Sequence, residues 1–162
     1  MHPLTILQVM ILLTLANGTP VIAKRILGDR FAYPLDGGAL FLDGRPLLGR
    51  SKTARGIVLS ILATSLGAPL VGLAASVGFL VGSIAMAGDL FSSFLKRRFD
   101  LPSSSRATGL DQIPESLFPL LACRVTLPLT LGDVAVAVAI FFLGEVVLSR
   151  LLYKLRIRDR PY

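Results

Sequence analysis

The chain has 162 residues, 53% of them hydrophobic and only 17% charged, with a formal net charge of +7 and a mean hydropathy of +0.71. That balance describes a small integral membrane protein, all-α in class, and not a soluble domain. The single Cys123 has no disulfide partner in the chain and is read as packing. The single His2, at the extreme N-terminus, excludes a His-based metal site and a Ser-His triad.

Sixteen of the seventeen Lys and Arg residues fall in three segments, Lys24 to Arg55, Lys96 to Arg106 and Arg150 to Arg160. Short basic loops stay in the cytoplasm, so the sequence predicts a polytopic protein of about five spans in the plasma membrane, N-terminus outside and C-terminus cytoplasmic.

The first span, about 4–23, is followed at once by Lys24-Arg25 and preceded by no basic residue. This reverses the charge order of a cleavable signal and predicts an anchor. The cytoplasmic loop 24–50 comes next, and its Gly and Pro content between Asp36 and Gly49 predicts a structured loop. Gly44 to Ser51 nearly matches a GxxxxGK[ST] phosphate loop, but Arg50 replaces the lysine and no strand-loop-helix unit surrounds it, so a P-loop is rejected.

From Gly56 to Gly88 the chain carries no charge for 33 residues. That is too long for one span, and the sequence predicts a turn near Gly67-Ala68-Pro69 between spans at 51–66 and 70–95. Gly78 and Gly82 form a GxxxG pair, with Gly72 extending a small-residue stripe. This pattern serves helix packing, within the chain or between the two copies of a homodimer. After a cytoplasmic loop at 96–112, the fourth span, about 113–131, holds Pro114, Glu115, Pro119, Arg124 and Pro128 and is expected to be kinked or partly re-entrant. The fifth, about 132–153, is apolar except for Asp133 near its outer end and Glu145 towards its inner half, and a basic tail at 154–162 completes a single membrane domain.

Asp89 closes the uncharged run. A carboxylate inside a membrane helix costs about 2.5–3.5 kcal/mol at the bilayer centre, so it faces a polar cavity, a metal or a substrate. On a helix, Asp89, Ser92 or Ser93, and Lys96 or Arg97 share one side, presenting carboxylate, hydroxyl and cation in turn. Lys52 and Arg55, in the first turn after an expected Ser51 N-cap, add cations to a helix N-terminus that already favours anions. Together these outline a phosphate pocket at the inner interface. Arg98, Arg106 and the tail residues Arg156, Arg158 and Arg160 are read instead as topology-setting cations that meet anionic lipid. Asp29, Asp36 and Asp100 are read as solvated loop residues.

Ala16-Asn17-Gly18-Thr19-Pro20, Asp36-Gly37-Gly38, Phe41 to Gly49, Ser51-Lys52-Thr53-Ala54-Arg55-Gly56, Gly88-Asp89 through Lys96-Arg97-Arg98, and Asp111-Gln112 resemble, in order, the motifs of the CDP-archaeol synthases. That family is related to the bacterial CDP-diacylglycerol synthases. The resemblance implies a Mg²⁺-dependent cytidylyltransferase that joins CTP to a phosphatidic-acid-like membrane lipid, ether- or ester-linked, and releases pyrophosphate. It implies Asp89 and Asp111 as catalytic, metal-holding carboxylates. Lys52, Arg55, Lys96 and Arg97 would be phosphate ligands, with Lys96 also catalytic, and Ser92 or Ser93 a supporting hydroxyl. Gln112, Asn17 and Asp43 would contact or orient the substrate, with Asn17 equally suited to helix contacts. Two positions depart from the family pattern. Ala54 stands where an aromatic residue is common, and Pro114 stands where a second acid usually follows Asp-Gln, so that here the acid, Glu115, comes one step later.

The expected partners are CTP, a lipid phosphate and membrane lipids, with no nucleic acid. A CDP-alcohol phosphatidyltransferase is disfavoured because its D-G-x-x-A-R motif is absent. A small transporter is disfavoured because the polar residues gather towards one face and not at mid-membrane. The alternative that keeps every span and basic loop is a non-catalytic relative acting as an assembly or lipid-binding partner.

Overall fold

Five helices account for nearly all the regular structure: α1 Pro3–Leu27, α2 Ala54–Leu70, α3 Ala75–Arg98, α4 Gln112–Cys123 and α5 Leu131–Lys154. They belong to a computed structural model that describes residues 1–102, 105, 107 and 109–154, with side chains as far as 147. Arg106, Ser103, Ser104 and the tail from 155, including Arg156, Arg158 and Arg160, lie outside the described residues.

The distribution of side chains is that of a membrane protein. Large apolar residues point outward along the helices, among them Leu62, Leu66, Phe79, Ile140 and Leu143. Ser60, Thr64, Ser92, Lys96, Arg97, Gln112, Glu115 and Asp133 are buried. In lipid this arrangement costs nothing outside and lets the polar groups find partners inside.

α1 buries Ile6, Val9, Leu12, Leu13 and Ala16, spaced three and four apart, in a core shared with the other helices, its main neighbours being α2 and α3. Pro20 lies inside α1 and cannot donate to the carbonyl of Ala16 one turn earlier. Ser60 Oγ of α2 donates to that carbonyl instead, at 2.7 Å, which repairs the ladder and ties the two helices together.

α2 runs through Gly67-Ala68-Pro69, and the chain turns later than expected, at 71–74. Pro69 is tolerated in the last helical turn because only one ladder bond is lost there. Gly72 takes a positive φ in this turn and so belongs to the connection, not to the stripe on α3. Gly78 and Gly82 do serve packing: a Cβ on Gly78 would lie 2.2 Å from the Thr64 carbonyl oxygen, and one on Gly82 would lie 2.2 Å from Thr64 Oγ1. The GxxxG pair therefore seats α3 on α2 within the chain.

α4 has 12 residues, about 18 Å of helix, too short to cross a hydrocarbon core of about 30 Å. Residues 124–130 follow it as turns and irregular chain. At the far end Thr130 precedes α5, and Asp133 fastens it: Asp133 accepts from Thr130 N at 3.0 Å and Thr130 Oγ1 at 2.8 Å, and from His2 N at 3.1 Å. His2 Nδ1 lies 3.0 Å from the same carboxylate. The starts of α1 and α5 are thus joined at one end of the bundle. The loop 28–53 and the described residues of 99–111 gather at the other end.

Candidate functional site

The loop between α1 and α2 is structured, as its Gly and Pro content predicts. Asp36 is a partly exposed loop residue, as expected, but it has a structural role: its carboxylate accepts from the amides of Gly38, Leu48 and Gly49 at 2.9–3.0 Å. Burial opposes its ionisation, but these amide donors outweigh burial and hold the carboxyl below the usual carboxylate range. Asp29 and Asp100 are exposed, as expected.

Arg98 is likewise not a free topology charge. Its guanidinium donates to Asp43 Oδ1 at 2.5 Å and to the Pro46 carbonyl at 2.7 Å. It also lies over the rings of Phe41 and Phe94, at 4.7 and 5.0 Å from their centroids. Asp43 is the loop's half of this clamp, which locks the loop onto the end of α3.

The clamped loop delivers Lys52. The N-cap of α2 is Thr53, whose Oγ1 accepts from Gly56 N at 3.2 Å, and not Ser51. Lys52 therefore precedes the helix, with its carbonyl accepting from Leu35 N at 2.8 Å. Its side chain reaches Asp89, with Nζ 2.5 Å from both carboxylate oxygens. Asp89 lies nine residues before the end of α3, about 14 Å below it. Arg55 turns the other way and donates to the carbonyls of Gly28, at 3.0 Å, and Arg30.

The second carboxylate near Asp89 is Glu115. It is 6% exposed and lies in electrostatic reach of Asp89. Gly88 makes this approach feasible: a Cβ there would lie 2.4 Å from the Pro114 carbonyl oxygen and 3.0 Å from the Glu115 Cα. The backbone of α4 lies where a side chain on α3 would be. Phe91 and Phe118 pack at 5.7 Å between centroids and steady the same crossing.

Asp111 pairs with Lys96 Nζ at 2.7 Å and accepts from Ala107 N at 3.0 Å. Lys96 also donates to the Ser105 carbonyl at 3.0 Å and lies in electrostatic reach of Asp89. Asp89 and Asp111 are therefore linked through a lysine. Arg97 is 5% exposed, donates to the Pro102 carbonyl at 2.7 Å, and has a buried Nε with no partner. Gln112 accepts from Gly109 N at 2.8 Å. Ser92 Oγ donates back to the Gly88 carbonyl at 2.9 Å, and Ser93 is buried beside it in sequence. Asn17 donates to the Leu13 carbonyl of its own helix at 3.2 Å.

One end of the bundle thus brings Lys52, Asp89, Lys96, Asp111 and Glu115 into one charge network, with Lys96 and Glu115 buried and the others half-buried. Sequence reasoning noted Glu115 only as a displaced acid, and its role emerges from the Gly88 crossing. The donor chemistry of Asp89 and Glu115 suits a hard cation. Among the described residues no group of three or more His, Cys, Asp or Glu forms a closed cage. Mg²⁺ commonly takes one or two protein carboxylates and completes its shell with phosphate and water. An apolar groove opens between α4 and α5, lined by Ile113, Ala135, Val138, Ala139, Phe142 and Leu143. It begins at the residue that follows Gln112.

The family described as CarS-like, CDP-archaeol synthase, matches residues 4–162. The chain belongs to the CDP-archaeol synthase family. It is 34% identical over 152 residues to the CDP-archaeol synthase of Pyrobaculum calidifontis, covering 91% of this chain and 90% of that one. To the CDP-archaeol synthase of Sulfurisphaera tokodaii it is 31% identical over 153 residues, covering 91% and 89%. A solved structure of an intramembrane enzyme for archaeal membrane lipid biosynthesis superimposes with a TM-score of 0.70 at 29% identity, covering 85% of this chain and 90% of that chain. Membership in this family makes the chain a membrane protein of a transferase family of phospholipid biosynthesis, with the all-helical fold that its sequence predicts.

Proposed function

We propose that this protein is a CTP:lipid-phosphate cytidylyltransferase. A phosphate oxygen of a phosphatidic-acid-like lipid, archaetidic acid in the archaeal case, forms a bond to the α-phosphorus of CTP. The bond from that phosphorus to the β-phosphate bridging oxygen breaks, pyrophosphate leaves, and the CDP-activated lipid stays in the membrane. The observation that carries this reading is the charge network itself, with lysines and an arginine around two neighbouring carboxylates at the end of the bundle where the α1–α2 loop meets the end of α3.

In this reading Asp89 and Glu115 hold Mg²⁺, which when bound offsets charge on the reacting phosphates. Lys52, Lys96 and Arg97 bind and orient the phosphate groups, and the partnerless Nε of Arg97 is a donor in need of an acceptor. Asp111 acts as a positioning residue that aims Lys96, while Gln112 and Ser92 fix the backbone around it. Asp43 and Arg98 hold the loop that carries Lys52. Arg55, engaged with the end of α1, supports the loop's base. The groove from Ile113 receives the lipid chains, so that a headgroup leaving it meets the charged cluster. In this reading the site faces the cytoplasm at the plasma membrane, where CTP is found, and the distribution of basic segments favours that orientation.

The test is pyrophosphate release by the purified protein in detergent with CTP and Mg²⁺. Ether-linked and ester-linked lipid phosphates are compared, with Asp89→Asn as control. Release that requires lipid and Asp89 is expected. No release and no CTP binding with either lipid overturns the reading in favour of a non-catalytic relative.

A further inference from the structure

The Lys52–Asp89 pair has an unusual build. The ammonium takes both oxygens of the carboxylate at 2.5 Å, in the fork where a cation would sit. The backbone of Lys52 is fixed on both sides, its amide donating to the Gly49 carbonyl at 3.2 Å and its carbonyl accepting from Leu35. The four-carbon side chain, by contrast, crosses from loop to helix with its charge held by Asp89. Lys96 differs, because its ammonium is also tied to a backbone carbonyl, that of Ser105, so moving it would open the loop.

Glu115 against Asp89 makes two neighbouring carboxylates in a low-dielectric site, and such a pair demands positive charge. An ammonium and a divalent ion cannot share the same fork, since their charges repel. We propose that Lys52 is the resident counter-ion of Asp89, that it must leave for a divalent cation to bind, and that the released ammonium then receives the nucleotide's triphosphate. Metal and nucleotide therefore bind cooperatively: each supplies the partner that the other's arrival takes away. The inference rests on the cytidylyltransferase reading for its second half only. The exchange needs only side-chain rotation of Lys52, and a metal ion without nucleotide has to work against the ion pair, which lowers its apparent affinity by the fraction of molecules in which Asp89 is free.

The experiment measures Mn²⁺ binding to the full chain in detergent without nucleotide, by the electron spin resonance of free Mn²⁺. Lys52→Met is expected to bind Mn²⁺ about tenfold more tightly than the natural protein, and Lys24→Met, at an exposed position on the end of α1, within about twofold of it. Unchanged or weaker binding in Lys52→Met overturns the exchange. A second measurement needs no variant: reductive methylation of Lys52 in the natural protein, read by peptide mass spectrometry. Labelling is expected to rise with Mn²⁺ and to fall again when CTP is added. Lys52 that stays unlabelled at saturating Mn²⁺ overturns the exchange, whatever the variant does. Labelling that rises with Mn²⁺ but persists with CTP keeps the exchange and overturns the nucleotide half, while the cytidylyltransferase reading falls separately, on failure of lipid-dependent pyrophosphate release.

Discussion

Two aspartates in this bundle are held in opposite ways. Asp133, at the end where α1 and α5 begin, is fully buried and accepts from the Thr130 amide and hydroxyl and from the His2 amide, with the His2 ring alongside. Its main donors are backbone and hydroxyl groups fixed by the helix start. Asp89, at the other end, is met by an ammonium on a flexible side chain and by a second carboxylate. The first is a fastening, complete within the protein. The second is charge assembled from three separate segments, whose partners are the kinds of group that phosphate and metal ions replace. A buried carboxylate in a membrane helix is costly in either case, and its partners decide whether the cost serves structure or chemistry.

The comparison breaks most sharply at Asp89. Asp89→Asn is expected to lower turnover about 10²–10³-fold with helix content unchanged by circular dichroism. Wild-type turnover in that variant would make Asp89 a fastening like Asp133. Glu115→Gln is expected to cost about 10²-fold in turnover and to raise the Mg²⁺ concentration needed for half activity. A loss without any change in Mg²⁺ dependence would remove Glu115 from the metal.

Gly88→Ala tests how the two carboxylates meet. Its Cβ drives α4 from α3, an overpacking cost of about 1–3 kcal/mol, and both thermal stability and activity should fall. Gly144→Ala, where a Cβ meets nothing within 4 Å, should change neither. Asp133→Asn should lower stability by about 1.5–2 kcal/mol through lost charged hydrogen bonds while turnover per folded molecule stays the same. A drop in turnover there would erase the contrast between the two ends. The smallest effect is expected at Ser60→Ala, about 0.6–1 kcal/mol of stability from the Ala16 carbonyl left without a donor, read from thermal unfolding in detergent.

The expected helices all form, because long apolar runs between basic segments leave the backbone no other way to satisfy itself in lipid. The ends of the spans were less legible. Pro69 at the close of α2 reads locally as a break, yet a proline in a last turn forfeits little, and the turn comes at Gly72. The α4 segment is short for a related reason: Pro119 lies within it, and its C-terminal half gives way to turns that no apolar count reveals.

In the site, the sequence alone determined the cast. Asp89 was exposed by its cost, and Lys52, Lys96 and Arg97 by spacing and by family motif. Tertiary structure decided the pairings. Arg98 looked like a surface charge and is a clamp, since its two aromatic faces and Asp43 are neighbours only after the loop folds back on α3. Asp36 keeps part of its exposure yet anchors the loop, a role hidden in the sequence because the Leu48 and Gly49 amides it accepts from lie a dozen residues away. Glu115 looked displaced by one position and reaches Asp89 all the same, because Gly88 lets the α4 backbone lie directly on α3. Periodicity reports which residues share the face of one helix, and composition reports what that face must meet. Which residue from another segment meets it depends on how closely two backbones approach, and here the absence of one side chain sets that distance.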